Sequence, residues 1–276
     1  MENKLVFPYS NLDALVENNR FTIAVIFPIM GAFLLVSSSY KILPGPLNFN
    51  PILVLFGTLV MRIPLISGVK SILDRKLAYS LIVLTAYVYL IEAVAVKTGF
   101  PYGEFSYGLN FGGSLLGVPL ALPLFYLPLA LNAYLLSKLY FTNSTIYRMV
   151  FAWLALLSID LVLDPGAVSL GFWSYIGDGL YHGVPFSNFV GWMLSGAVSI
   201  CLLEFGFNQY NLKKRLDKCS YIMDDLVSFV LLWGLINLFF SSFIPVVVAL
   251  VLIGVLVASP SPFPFSTTDQ GQDRPS

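Results

Sequence analysis

The chain has 276 residues, of which 57% are hydrophobic and only 11% charged, with no formal net charge at pH 7, whereas soluble domains carry about 25% charged residues. A mean hydropathy of +0.81 and a pI near 6.6 argue against an ordinary soluble fold, and without a basic domain or Arg-rich run there is no electrostatic footprint for nucleic acid. Two cysteines outside any CxxC spacing and one histidine leave no basis for a disulfide framework, an iron–sulfur cluster or a multi-histidine metal centre.

Residues 1–20 mix acids, amides and apolar side chains and lack the basic n-region and short apolar core of a secretory signal, so the first hydrophobic stretch is expected to stay in the mature protein. Crossing the hydrocarbon takes about 20 mostly apolar residues, because no water is there to satisfy exposed backbone groups. Eight stretches qualify: residues 21–39, 51–69, 77–96, 115–137, 147–163, 189–207, 225–240 and 243–258. The expected fold is an all-α, polytopic integral membrane helical bundle of about eight transmembrane helices. Seven is the alternative, since the last two stretches are short enough to form a hairpin that does not fully span. Residues 1–258 then make one transmembrane domain, and residues 259–276, rich in Pro, Ser, Thr, Gln and Asp, read as a disordered cytoplasmic tail.

Lys and Arg resist translocation and collect in cytoplasmic loops. Lys70, Arg75 and Lys76 follow the second stretch, Lys138 and Arg148 bracket the gap after the fourth, and Lys213, Lys214, Arg215 and Lys218 follow the sixth, all on one side. With Lys4, Arg20 and Arg274 they put both termini in the cytoplasm of a multi-pass cell-membrane protein; the other side holds Lys41 and Lys97, and Arg62 lies inside a helix and fits neither count. Glu204, near the basic end of its helix, is expected to pair with a nearby Lys.

The acids follow another pattern. Glu92, Glu104, Asp160, Asp164 and Asp178 fall in or beside the connections 97–114 and 164–188, the longest between helices and on the side away from the basic loops; long loops in a compact domain are often functional. An Asp at the centre of a membrane helix costs about 2.5 to 3.5 kcal/mol, so such residues usually face a bundle interior or cavity. Glu92 and Asp160 lie near the outer ends of their helices, where reaching the interface is the plain structural alternative. Asp160 and Asp164, spaced i, i+4, share a helical face if the helix continues that far, and two acids so close resist ionising together. Pro165 opposes this, because it biases Asp164 out of the helical region and allows Asp164 to serve simply as an N-cap. Around them Tyr102, Tyr107, Trp173, Tyr175 and Tyr181 stand among glycines; some can belong to an interfacial aromatic belt. His182, four residues after Asp178, is either a proton relay or an ordinary loop histidine, and Asn188 either orients a water or caps the sixth stretch. The two connections also share a faint Gly-, aromatic- and acid-rich repeat.

Three segments, TGFPYGEFSY at 98–107, DLVLDP at 160–165 and YHGVPFSNFVGW at 181–192, resemble the signature segments of the membrane carotenoid hydratases, over roughly residues 80–205. The family pattern carries Glu where this chain has Asp164 and Tyr where it has His182. The first change keeps an acid, while the second argues against an essential role for His182. The resemblance implies hydration of a terminal C=C of an acyclic carotenoid. Protonation of the less substituted carbon gives a tertiary cation, which water captures as a tertiary alcohol. A carboxylic acid held protonated by an apolar site supplies the proton, with Asp160, Asp164 and Glu92 as candidates in that order and Glu104 a further acid of the same segments. Tyr102, Tyr107, Trp173, Tyr175, Tyr181 and Trp192 would bind the substrate and steady the cation, and Asn188 or a second carboxylate would place the water. The same resemblance implies no metal, nucleotide or redox cofactor. Partners would be the carotenoid, the lipid bilayer and other membrane enzymes of the pathway. Two alternatives stay open: a carotenoid cyclase, which begins with the same protonation, and a proton-coupled transporter, which would place its acids nearer the midplane and break its helices there.

Overall fold

The computed structural model describes residues 11–259 except 110, 111 and 178. The expected tail beyond Ser259, and Asp178 with its relay to His182, lie outside them. All eight apolar stretches are helical. A short helix α1 (Asn11–Asn18) precedes α2, which opens with a π-helical turn at Thr22–Ile26 and continues as Phe27–Ser39. There follow α3 (Pro51–Lys70), α4 (Arg75–Thr98), α5 (Leu122–Tyr140), α6 (Thr145–Ser169), α7 (Phe186–Gly206), the polar α8 (Gln209–Leu216), α9 (Asp224–Phe239) and α10 (Phe243–Val257). Six of these, α2 to α7, are long and apolar enough to cross a membrane. The last two have 16 and 15 residues, fewer than the about 20 that a full crossing takes.

Local chemistry sets the ends. Asn50 caps α3 by accepting from Ile52 N at 3.0 Å and Leu53 N at 3.3 Å, with Pro51 at the first helical position. Asp74 caps α4 by accepting from Leu77 N at 2.8 Å, and Gly99, at φ 75°, turns the chain out of its far end.

Two boundaries differ from the sequence reading by more than three residues. Helix α5 starts at Leu122 rather than 115, because Ser114–Leu115 (β2) and Val118–Pro119 (β3) pair as a hairpin around Leu116 and Gly117, both at positive φ. Helix α6 does not stop at 163 but runs through Pro165 to Ser169. Proline removes the amide that would bond the carbonyl of Leu161, and the Tyr181 hydroxyl donates to that carbonyl instead, at 2.9 Å. Asn237 Nδ2 donates to the next carbonyl, Val162, at 2.7 Å. With these partners the helix survives its proline, as membrane helices do when neighbours satisfy the freed groups. Asp164 is therefore a mid-helix residue and not a cap.

The helices pack as antiparallel neighbours, α5 on α6, α6 on α7 and α4 on α7, with α9 wedged against α2, α3 and α6. Close approach depends on missing side chains. A Cβ on Gly206 of α7 would strike Ser80 of α4 at 2.5 Å, and one on Gly191 would enter the Tyr102 ring. At the basic end, Glu204 is held by Arg148 and by the Tyr134 hydroxyl at 2.5 Å. Its partner is thus an Arg from α6 and not the expected Lys, because antiparallel packing sets the start of α6 beside the end of α7. Asp13 is bonded to Arg215, Ser67 and Tyr221, and Arg20 pairs with Asp224 at 2.8 Å. Almost all the regular structure is helical, and the few strand residues lie in the two long connections.

Candidate active site

Those strands roof the site. Phe105–Tyr107 (β1) and Trp173–Tyr175 (β4), one from each long connection, pair antiparallel with Phe105 opposite Tyr175 and Tyr107 opposite Trp173. Side chains alternate along a strand, so the four aromatics share the inner face, while Ser106 and Ser174 face outward with their Oγ atoms 3.3 Å apart. Gly108 makes the ribbon possible, since a Cβ there would collide with the Gly171 carbonyl.

Beneath the roof lies a mostly apolar cavity of about 460 Å³. Two carboxyls reach its wall, each held by a tyrosine of the roof. The Tyr107 hydroxyl donates to Glu92 of α4. The Tyr175 hydroxyl lies 3.1 Å from Asp164 Oδ2 of α6 and 2.9 Å from Asn188 Oδ1 of α7. The amide of Asn188 in turn donates to Asp164, and to Asp160 Oδ2 at 3.3 Å. Both Asp side chains thus meet one amide, as their i, i+4 spacing on a continuous helix requires. Burial, and then the adjacent carboxylates, push the Tyr107 and Tyr175 phenols well above their ordinary range, so both remain donors. The faint sequence repeat has a spatial counterpart: each connection sends one tyrosine back to the acid of the helix before it.

The remaining candidates divide. Tyr102, Tyr107, Trp173, Tyr175, Asn188 and Trp192 all line the cavity. Trp192 stacks on Tyr126 of α5, with centroids 5.1 Å apart and planes at 10°. Trp173 is notable because its buried Nε1–H has no acceptor among the described residues. Asp160 is fully buried behind Asp164, off the cavity wall, and its Oδ1 is also without a partner there. Glu104 is exposed and away from the cavity, its carbonyl accepting from Ile176 N at 2.8 Å within the roof. Tyr181 is engaged with the Leu161 carbonyl and with the rings of His182 and Phe189, also away from the cavity.

Sequence reasoning missed the wall opposite. Helices α2 and α3 supply much of it, through residues such as Gly31, Leu35, Gly57 and Met61, and α9 adds Leu232 and Trp233. Met30, Leu34, Leu53 and Phe56 line the cavity and are themselves exposed, so the wall is open between α2 and α3. Plain apolar residues carry no signal that separates a cavity wall from a lipid-facing surface. Arg62 was the exception. This charge within a span lies on the cavity and pairs with Asp225 of α9 at 2.8 Å.

Fold and site together define an integral membrane protein that holds two tyrosine-bound carboxyls against an apolar cavity open to the side. The model of the carotenoid biosynthesis protein family matches residues 49–256, and the chain belongs to that family. It is also 49% identical to the bisanhydrobacterioruberin hydratase of Haloarcula japonica over 268 residues, covering 95% of this chain and 91% of that protein. The similarity therefore reaches well beyond residues 80–205 and takes in α3, α9 and α10. No solved structure matches the chain at a significant level.

Proposed function

We propose that this chain is a carotenoid hydratase, adding water to a terminal C=C of an acyclic carotenoid related to the bisanhydrobacterioruberin named for its relative. The observation that carries the reading is the pair of tyrosine-held carboxyls, Glu92 and Asp164, on the wall of one apolar cavity. A polyene fits an apolar cavity open toward lipid, and an alkene needs a strong acid beside it.

Asp160 and Asp164 meet at a single amide, and like charges so close do not both persist, so the pair retains one proton. Asp164, the member on the wall, delivers it to the less substituted alkene carbon. The π bond breaks, a C–H bond forms and the tertiary carbon is left cationic. The π faces of Trp173, Tyr102 and Trp192 stabilise that cation, each by about 0.5 to 2 kcal/mol where water is excluded. Water adds its oxygen to the cation, and Glu92 receives the proton that water gives up. Return of that proton to the Asp160–Asp164 pair resets the site, so no redox partner is consumed.

With the basic loops in the cytoplasm, the roof and both acids face the opposite side, where water is at hand without a channel through the bilayer. The carotenoid would arrive within the membrane from other enzymes of its pathway. Expression in a host that accumulates lycopene tests the proposal. The expected product is heavier by one water and takes its new oxygen from isotopically labelled solvent. Unchanged pigment would refute hydration, and a product of unchanged mass bearing a ring would install a cyclase in its place.

A further inference from the structure

At the end of the bundle opposite the roof, α5, α6, α7 and α8 meet around charged side chains that the hydration chemistry does not use. We propose that this cluster binds a phosphate-class anion, the phosphodiester of an anionic lipid headgroup, with the exposed Lys213 as its contact at the surface.

Positive charge is left over in the cluster. Lys138, in the last turn of α5, is 2% exposed, and Arg148, near the start of α6, is 3% exposed. Both donate to the same neutral oxygen, the Thr142 carbonyl, at 3.2 and 3.4 Å. Arg148 also holds Glu204 of α7 through Nε, at 2.8 Å, and through Nη2, and the Tyr134 hydroxyl takes a further place on that carboxylate. Glu204 is thus engaged on both oxygens, and Lys138 has no carboxylate within ion-pair distance among the described residues. Lys213 of α8 stands close enough for its charge to bear on Lys138, as that of Arg148 does, and among the described residues Glu204 is the one carboxylate set against them. Three cations therefore face one carboxylate, and two of the three are out of water, where an uncompensated charge is costly.

The missing negative charge has to come from outside, and the surface lets it approach. Lys213, Asn143 and Thr145 are exposed at the rim of the cluster. An anion seated on Lys213 offsets the buried charges through the low-dielectric space between them, so neither Lys138 nor Arg148 has to be uncovered. The first turn of α6 begins at the same rim with no acidic residue and no side-chain cap, and its partial positive charge adds to the attraction. Ile146 and Tyr147 of that turn are exposed. On a helix long and apolar enough to cross a membrane, they lie against lipid at the level of the cluster. A ligand that meets both surfaces carries its phosphate beside acyl chains, which favours a lipid over free phosphate.

Melting of the purified full-length protein in a neutral detergent tests the site, with dioleoylphosphatidylglycerol, dioleoylphosphatidylcholine or inorganic phosphate added at equal concentration. The anionic lipid should raise the melting temperature at a concentration about fivefold below that needed of the zwitterionic one, as expected for one lysine at the membrane surface, and inorganic phosphate should leave it unchanged. Lys213→Gln should bring the two lipids together. Lys70→Gln removes an exposed lysine from the same end of the bundle whose charge does not bear on Lys138, and should keep the preference. Lys138→Met removes the uncompensated cation; it should melt higher than the wild-type protein in detergent alone, because an apolar group then replaces a buried charge, and should lose the gain from anionic lipid. An equal response of the wild-type protein to both lipids, which needs no variant, would overturn the proposal, as would a preference that survives Lys213→Gln or a Lys138→Met protein that melts lower in detergent alone. A rise produced equally by inorganic phosphate would give the site to the free ion and overturn the lipid.

Discussion

At the scale of single residues, the proposed mechanism divides the labour between the two wall carboxyls. Asp164→Asn and Glu92→Gln keep shape and volume but remove the group that gives or takes the proton, an effect typically of about 10²- to 10⁴-fold. Each should cut alcohol formation by at least about 100-fold while the purified protein keeps its elution volume and melting temperature. Asp160→Asn acts only through its neighbour and should cost less, about tenfold; a loss equal to that of Asp164→Asn would move the proton donor one turn inward. Tyr175→Phe and Tyr107→Phe each remove one hydrogen bond to a carboxyl, and the expected loss of about 10-fold in kcat should leave KM nearly unchanged. The gathering of this cluster was legible in the chain, since carboxyls are costly in an apolar sequence unless they face a cavity or the bundle interior, and these fall among tyrosines and tryptophans. What could not be read was rank. The sequence reading put Asp160 ahead of Asp164 and Glu92, whereas the packing of α7 sets Asn188 between the two Asp side chains and leaves Asp160 behind, off the cavity wall.

At the scale of elements, α6 shows how a local rule gives way to tertiary partners. Pro165 argued for a helix end, and the carbonyl of Leu161 is indeed without a helical partner. A tyrosine 20 positions further on supplies the missing donor, which no reading of neighbouring residues reveals. Tyr181→Phe should therefore lower stability by about 1 kcal/mol, seen as a reduced melting temperature with little change in product formed. Glu104 and Tyr181 came from the same signature segments as the wall residues, yet the structure uses them to set the shape of the roof and the neighbouring helix. Gly191 tests the opposite boundary of the site. A methyl group there enters the Tyr102 ring, and Gly191→Ala should cost about 1 to 3 kcal/mol by overpacking and displace two aromatics from the cavity.

At the scale of the whole molecule, the roof joins connections that are far apart in the chain, and the floor is closed by α9. The acids thus belong to one half of the bundle while α2 and α3 at the start supply the open wall. Hydrophobicity was sufficient to find these helices but gave no order for their packing. The ion pair of Arg62 with Asp225 spans 163 positions, and in the sequence Arg62 was only a charge inside a helix that fitted neither count.

The brevity of α9 and α10 has a consequence for the surrounding lipid. At 16 and 15 residues and 1.5 Å per residue they reach about 24 Å, whereas an average hydrocarbon slab is about 30 Å thick. The leaflets beside this hairpin must pinch inward, or water must follow the polar ends of the helices down. Vesicles made from shorter acyl chains relieve that mismatch, and turnover measured across a series of chain lengths should peak below the thickness that suits the six longer helices.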